Sequence, residues 1–379
     1  MKVLLVGEYS RLHNSLKEGL QKLGHEVFIV GDKDGFKNYP IDYLIEKKWD
    51  RGFLKKIKIA INIFCGFDIS SYLTYQQFKK NKNKFRGFDV VQLINENSLY
   101  CNYFYERKIL NFIFNNNSKT FLLSSGYDYL NVKYCFENSN HKSVVQAFLR
   151  NHINPKDFSN VLKFKKKTFY KLHEYIYSNI IGIIASDIDY HIPLLGNEKY
   201  IGLISNPINI SKFNFKTLKI ENKIIIFHGI NEANYKKKGN DYFEKALKII
   251  ELKYLGKVEI ITTLDLPYNS YINSYNKAHI ILDQIYAYDQ GYNALEAMAK
   301  GKVVFTGAEE EFTEHYKLLD RVCINAIPDV DYLVNELSFL IENPEEIVGI
   351  GKRARAFIEK EHDYIEIATR YLLAWNNNF

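Results

Sequence analysis

Two stretches of the chain combine ligand-bearing side chains with turns that would expose them. In the first, Phe227-His228-Gly229-Ile230-Asn231 is followed by Lys236-Lys237-Lys238-Gly239-Asn240-Asp241. An apolar run ends at a glycine, a loop carries three lysines, and a helical pattern begins. Lysines beside a helix N-terminus pair point charges with free backbone N–H groups, which suits a phosphate. A solvated lysine loop has the same composition. In the second, Asp283-Gln284 leads to Tyr288-Asp289-Gln290-Gly291-Tyr292-Asn293-Ala294-Leu295-Glu296. A glycine loop opens a helix here, and Glu296 sits about one turn in. A carboxylate there can accept hydrogen bonds from both hydroxyls of a ribose, or serve only the positive end of the helix. Lys300-Gly301-Lys302-Val303-Val304-Phe305-Thr306-Gly307 then stops that helix and adds a strand and a turn.

The first half offers a sparser set. Gly7, Glu8, Ser10 and His13 lie on or just after the loop that ends the first apolar run, and Asn95-Glu96 ends another run. Ser124-Ser125-Gly126-Tyr127-Asp128 follows a third. Asp128 could polarise a bound hydroxyl or cap its own turn, and a lone histidine such as His13 has structural uses as well as catalytic ones.

These groups need a scaffold that brings loop ends together. Lys2 to Val6 reads as a buried parallel strand, Leu12, Leu16, Leu20 and Leu23 as one face of a helix stopped at Gly24, and Val27 to Val30 as a second strand. Further strands are expected at Val90–Ile94, Thr120–Leu123, Ile180–Ala185 and Tyr200–Ile204. Ser205-Asn206-Pro207-Ile208-Asn209 breaks the pattern, so a domain boundary is expected near residue 210. Beyond it, strands at Ile224–Phe227, Val258–Thr262, His279–Leu282 and Lys302–Thr306 alternate with helices, and Ile365–Trp375 reads as an amphipathic helix. Two open parallel sheets in tandem predict a cleft at the carboxyl ends of their strands.

Bulk properties narrow the classes. The chain has 379 residues, 46% of them hydrophobic, which is ample for two cores. Cys65, Cys101, Cys135 and Cys323 show no paired spacing, so zinc and redox motifs are not expected and a reducing, cytoplasmic setting is. The N-terminal apolar run is too short for a signal-peptide core, and no run approaches a membrane span. Net charge is +7, divided between 30 Lys/Arg against 19 Asp/Glu in residues 1–210 and 21 against 25 in the rest. The basic half is suited to an anionic neighbour, such as a phospholipid surface or nucleic acid, or is simply a solvated lysine surface. From Trp49 to Phe64, Phe53, Ile57 and Ile61 recur at helical spacing while Arg51, Lys55 and Lys58 lie on another face. Lys163-Phe164-Lys165-Lys166-Lys167 repeats the basic–aromatic theme. This describes an interfacial amphipathic helix, and on that basis membrane contact is expected and a nucleic-acid partner is not.

Leu295-Glu296-Ala297-Met298-Ala299-Lys300-Gly301-Lys302-Val303-Val304-Phe305-Thr306-Gly307, preceded by its glycine loop, resembles the nucleotide-sugar signature of family 4 glycosyltransferases of the GT-B fold. His228-Gly229 with Lys236-Lys237-Lys238-Gly239 resembles that family's phosphate loop, and residues 1–32 resemble its first strand–loop–helix–strand in a form found in bacterial surface-polysaccharide enzymes. The resemblance implies an α/β chain of two Rossmann-like doubly wound domains facing a central cleft. Residues 1–208 would take the acceptor side and 209–360 the donor, with a helix in 361–379 returning to the first domain. It implies transfer of a sugar, with retention, from a UDP- or GDP-linked donor to a glycan or lipid-linked acceptor, without a bound metal or other cofactor. Donor contacts would come from Gly7, His228, Gly229, Asn231, Lys237, Lys238 and Thr262, and from Tyr288, Asp289, Gln290, Gly291, Tyr292, Asn293 and Glu296. Asp128, Glu8 and His13 would stand near the reacting carbon. The chain departs from the family in two places: Tyr288 replaces the first of two glutamates eight residues apart, and Ile230 replaces an arginine. A GT-B-fold nucleotide-sugar epimerase and a non-catalytic glycan- or partner-binding scaffold are the alternatives. A nicotinamide oxidoreductase is disfavoured, because no GxGxxG follows Val6 or Phe227.

Overall fold

The computed structural model describes residues 1–32, 39–266 and 268–377, leaving aside the side chains of 268–271. The first seven strands are β1 (Lys2–Val6), β2 (Glu26–Gly31), β3 (Tyr43–Leu44), β4 (Val90–Leu93), β5 (Lys119–Ser124), β6 (Gly182–Ala185) and β7 (Tyr200–Leu203). They form one parallel sheet in the order β3-β2-β1-β4-β5-β6-β7. The next five, β8 (Ile224–Ile230), β9 (Val258–Leu264), β10 (Ile280–Leu282), β11 (Val303–Thr306) and β12 (Ile324–Asn325), form a second in the order β12-β11-β10-β8-β9. Its pairings are parallel too. The central strands are buried on both faces, as their unbroken Val/Ile/Leu runs require. In each sheet the strand order reverses once, between β1 and β4 and between β8 and β10. A crevice opens at such a point, because the helices leaving the two strands run to opposite faces.

Gly7 ends β1 with φ +87°, and a Cβ there would lie 2.4 Å from Ile94 Cγ2. Only glycine lets the chain turn into the first crevice this close to β4. Helix α1 (Leu12–Lys22) then buries Leu12, Leu16 and Leu20. Helices α2 (Gly52–Cys65) and α3 (Ile69–Asn81) follow β3. The expected helix from Trp49 thus begins three residues later, and Trp49 itself stands before it at φ 63°.

The chain passes between the sheets twice. Residues 206–208 carry it forward and 361–364 carry it back, and the passes are bonded together. Ile208 N–H donates to His362 O at 2.7 Å, Tyr364 N–H donates to Ile208 O at 3.2 Å, and His362 Nδ1–H donates to Asn206 O at 2.8 Å. The returning helix, Tyr364–Asn377, crosses α1 so closely that a Cβ on Gly19 would lie 2.1 Å from Tyr364 O. Its Trp375 is fully buried, and the indole N–H donates to Gln92 Oε1 on β4 at 3.0 Å. A second apolar cluster also spans the two halves. Val145, Phe158 and Phe164 of the first share it with Phe243, Ile280 and Phe305 of the second.

Trp375→Ala would remove the largest fully buried side chain and leave Gln92 unsatisfied. A loss of about 3–5 kcal/mol is expected, read from the midpoint of urea denaturation. A change within about 0.5 kcal/mol, as at surface sites, would show that the returning helix adds little.

Candidate functional site

The second crevice is where the two motif segments meet. After β8 the chain makes a turn and a four-residue helix, Tyr235–Lys238, then passes through Gly239 into helix Asn240–Lys253. Gly239 has φ +73°, and a Cβ there would lie 2.9 Å from Ile285 Cδ1. The lysine loop is therefore pressed against the residues that follow β10. The three lysines part ways. Lys236 pairs with Asp241 at 2.8 Å. Lys237 reaches only Ala233 O and Asn234 Oδ1 at 3.4 Å, and burial lowers its pKa. Lys238 Nζ donates to Asp283 Oδ1 at 2.9 Å, and Asn293 Nδ2 donates to the same oxygen at 3.0 Å. The Asp283 carboxylate, 3% exposed, thus ties the lysine loop to the first turn of helix Tyr292–Ala299. Lys237 and Lys238, with Gln284, Gln290 and Gly291, line a cleft of about 280 Å3 closed from the other side by Tyr127, His141, Asp187 and Asp189.

The two walls exchange hydrogen bonds. Asp189 accepts from the Tyr288 N–H with both oxygens at 3.1 Å, and also from the Asp289 N–H. Asp289 in turn accepts from the Ile188 N–H at 3.1 Å, at the start of helix Ile188–Leu194, and from the Gln290 N–H. Nearby, the Tyr288 ring stacks on His141 with centroids 4.6 Å apart. Lys142 Nζ donates to Ala326 O at 2.9 Å and to Asn325 Oδ1 at 3.2 Å, and pairs with Glu309. The Tyr292 hydroxyl donates to Pro207 O in the forward pass.

Several expected site residues lie elsewhere. His228 is fully buried on the other face of β8, where its Nε2–H donates to Asn240 Oδ1 at 2.9 Å and its ring packs edge-on to Phe243. Strand alternation turns it away from the cleft, so it supports the lysine loop from beneath. Thr262 is exposed on β9, the edge strand. Asp128 caps helix Tyr129–Glu137, accepting from the Asn131 N–H at 2.7 Å and from Ser124 Oγ, and is 4% exposed. Burial and the Glu96 charge push it up to about 7. The turn-capping reading fits it. Glu8 accepts from the Asn14 N–H and Nδ2–H at 2.8 and 2.6 Å, holding the first turn of α1. His13 is fully buried and donates from Nδ1 to Gly7 O at 2.7 Å, and burial pulls it down to about 4. Both therefore shape the first crevice from behind. Glu296 is half-buried one turn into its helix, near Tyr292 and Lys300, and not in the cleft lining. Asn231 lines a neighbouring cavity with Lys236, Lys237 and Asp265.

Asp187, Asp189 and His141 were not foreseen as site residues, and Asp283 and Gln284 opened the second candidate stretch without being assigned a donor contact. Asp283 and Asp187 had a usable signal, since one directly follows a predicted strand at its carboxyl end and the other stands two residues beyond another. His141 and Lys142 had none, lying between helices in a segment whose position only the packing sets. The first crevice is lined differently. Tyr9 and Tyr100 pack with ring centroids 5.7 Å apart, and Lys47 Nζ stands 4.4 Å from the Tyr100 ring. Among the described residues no group of three or more His, Cys, Asp or Glu could hold a metal ion.

Burial pushes Asp189 up to about 6, and burial with the Asp189 charge pushes Asp289 up to about 8. An unfolded aspartate titrates near 4, so the folded pair holds an extra proton between about pH 4 and pH 8, and its contribution to stability falls as pH rises through that window. The melting temperature of the wild type should drop more between pH 5 and pH 8 than that of Asp289→Asn. Equal slopes would remove this pair as the cause.

Residues 232–373 match a family model described as glycosyl transferase-like. No curated protein sequence matches the chain. Among solved structures, Anabaena HepE in complex with UDP and glucose aligns with a TM-score of 0.60 at 11% identity over 100% of both chains. A variant of S. aureus TarM in complex with fondaparinux, alpha-GlcNAc-glycerol and UDP gives 0.59 at 12% identity over 99% of each. Sucrose-phosphate synthase from Thermosynechococcus elongatus gives 0.58 at 14% identity over 100% of this chain and 98% of its own. At such identities the likeness is one of fold, and the expected GT-B architecture is borne out. The chain as a whole thus has the GT-B fold, and residues 232–373, most of its second half, are glycosyl transferase-like.

Proposed function

We propose that the chain moves a sugar from a nucleoside-diphosphate donor to a hydroxyl of a saccharide or lipid-linked acceptor, with retention, in the assembly of a bacterial surface polysaccharide. The observation that carries this is the Lys238–Asp283–Asn293 cluster at the switch point of the second sheet, beside a cleft walled by both domains. The donor diphosphate lies over Lys238 and the N–H groups that open helix Tyr292–Ala299, with Lys237 near enough to add charge. The bond from the anomeric carbon to the diphosphate oxygen breaks, the acceptor oxygen bonds to that carbon, and the acceptor's proton leaves to the departing diphosphate. Lys238 and the helix N-terminus stabilise charge that grows on the leaving group. The cross-domain bonds of Asp189 and Asp289 keep the walls together while an oxocarbenium-like carbon is exposed, which excludes water as a rival nucleophile.

The acceptor occupies the first crevice, where Tyr9 and Tyr100 offer aromatic faces to a sugar ring. The basic first domain meets an anionic membrane from the cytoplasmic side. UDP in the HepE and TarM complexes makes UDP-sugars the first donors to test.

A thermal-shift screen of UDP-, GDP- and CMP-sugars should find one that stabilises the chain, by about 2.7 kcal/mol at a hundredfold excess over Kd. That donor should then be hydrolysed or transferred. Lys238→Ala should weaken it by about 1–3 kcal/mol in calorimetry. Absence of stabilisation and of turnover with every donor would sink the proposal. Unchanged affinity in Glu296→Ala alone would agree with its place outside the cleft lining and move the ribose contact elsewhere.

A further inference from the structure

We infer that α2 is a membrane-inserting helix that seats the first domain on an anionic lipid surface and places the headgroups beside the first crevice. The role of that crevice as acceptor site rests on the transferase reading, whereas the docking itself does not.

Helix α2 has fourteen residues and buries none of them. Ile57, Ala60 and Ile61 are half-covered, on the side that packs against α3. The rest of its apolar surface faces outward: Phe53 is 75% exposed, Ile63 72% and Phe64 86%. Leu54 and Ile59 are exposed with them, and Phe67 and Tyr72 extend the patch past the end of the helix. An exposed apolar patch of this kind needs an occupant.

Charge identifies the occupant. Residues 47–86, which contain α2 and α3, hold 11 Lys/Arg and 2 Asp, a surplus of nine that exceeds the +7 of the whole chain. Arg51, Lys55 and Lys56 are exposed on or beside the helix itself. Lys58, which the sequence pattern placed with them, is instead paired with Asp50 and mostly covered. A second copy of the chain would set two such surpluses face to face, which like-charge repulsion opposes. A bilayer with anionic headgroups satisfies both properties at once: apolar side chains enter the acyl boundary and the ammonium groups stay at headgroup level. At 1.5 Å per residue the helix is about 21 Å long, and no helix among the described residues is long and apolar enough to cross a membrane. It lies in the interface plane.

Both ends of α2 lead to the first crevice. Before it, Lys47 stands over the Tyr100 ring. After it, the Asn102 N–H donates to Ser71 Oγ at 2.8 Å, in the first turn of α3. A bilayer holding α2 is therefore held next to the loop that carries Tyr100, where a lipid-linked acceptor would enter.

The full chain should co-sediment with vesicles of roughly three parts phosphatidylcholine to one part phosphatidylglycerol, and far less with phosphatidylcholine alone. The chain has two tryptophans, and Trp375 is fully buried, so a blue shift on vesicle binding reports Trp49 at the root of α2. Combining Phe53→Ser, Ile63→Ser and Phe64→Ser, all on the exposed surface, should lower vesicle partition at least tenfold and leave thermal stability unchanged. Lys55→Glu with Lys56→Glu should remove the preference for the anionic lipid. The inference is overturned if the wild type stays in the supernatant with anionic vesicles, or if the triple variant sediments as the wild type does. It is also overturned if sedimentation velocity without lipid shows a wild-type dimer that the triple variant lacks, since α2 would then be an interface between copies. Vesicle binding that persists while no nucleotide sugar stabilises the chain would leave the docking standing and remove the transferase reading alone.

Discussion

The structure turns on a problem of buried backbone amides. The loop 288–290 passes through the closed interior between two domains, where an N–H without an acceptor costs about 1–3 kcal/mol. The first domain supplies the acceptor, Asp189, and receives the same service in return, because Asp289 caps helix Ile188–Leu194. Each domain completes a turn of the other. The loop that opens helix Tyr292–Ala299, and with it the N–H groups of its first turn, therefore takes its shape from a residue about a hundred positions earlier in the chain. Burial sets the charge state of the two carboxyls, which resist ionising together.

The crossing at residues 206–208 and 361–364 reinforces this. A single linker would let the domains swing freely. Two passes bonded to each other, with Tyr292 donating to Pro207 between them, join the linker to the helix Tyr292–Ala299. The returning helix then buries Trp375 against β4, which staples that helix to the first sheet. Motion of one domain relative to the other must be absorbed in the few residues of the two passes.

The two positions that depart from the expected pattern have definite surroundings. Tyr288 stacks on His141 where a glutamate would stand, and its backbone is what Asp189 grips. Ile230 is buried at the end of β8. Asp283 decides between Lys237 and Lys238. It fixes Lys238, while Lys237 keeps only long contacts. A pinned ammonium has less side-chain entropy left to lose on binding any ligand.

The sequence alone determined the two parallel sheets, the break near residue 206, the lysine loop and the glycine loop. These depend on local periodicity and on glycine and proline, whose effects act over a few residues. It also picked out the apolar, basic stretch that became α2, since a helix that packs almost nothing is written by its own pattern. It did not settle direction. His228 and Thr262 sit on the right strands, but alternation along β8 turns the first to the wrong face, and the order of strands leaves the second on an edge. Asp128, Glu8 and His13 have the right chemistry, yet Asp128 caps a helix, one Glu8 oxygen holds Asn14 and the His13 Nδ1 holds Gly7 O. Asp189, His141 and Lys142 gain their meaning only when the halves meet. No spacing rule links them to the loop at 288–291, because the contact depends on how two cores and two chain crossings pack, and packing is a property of the whole chain.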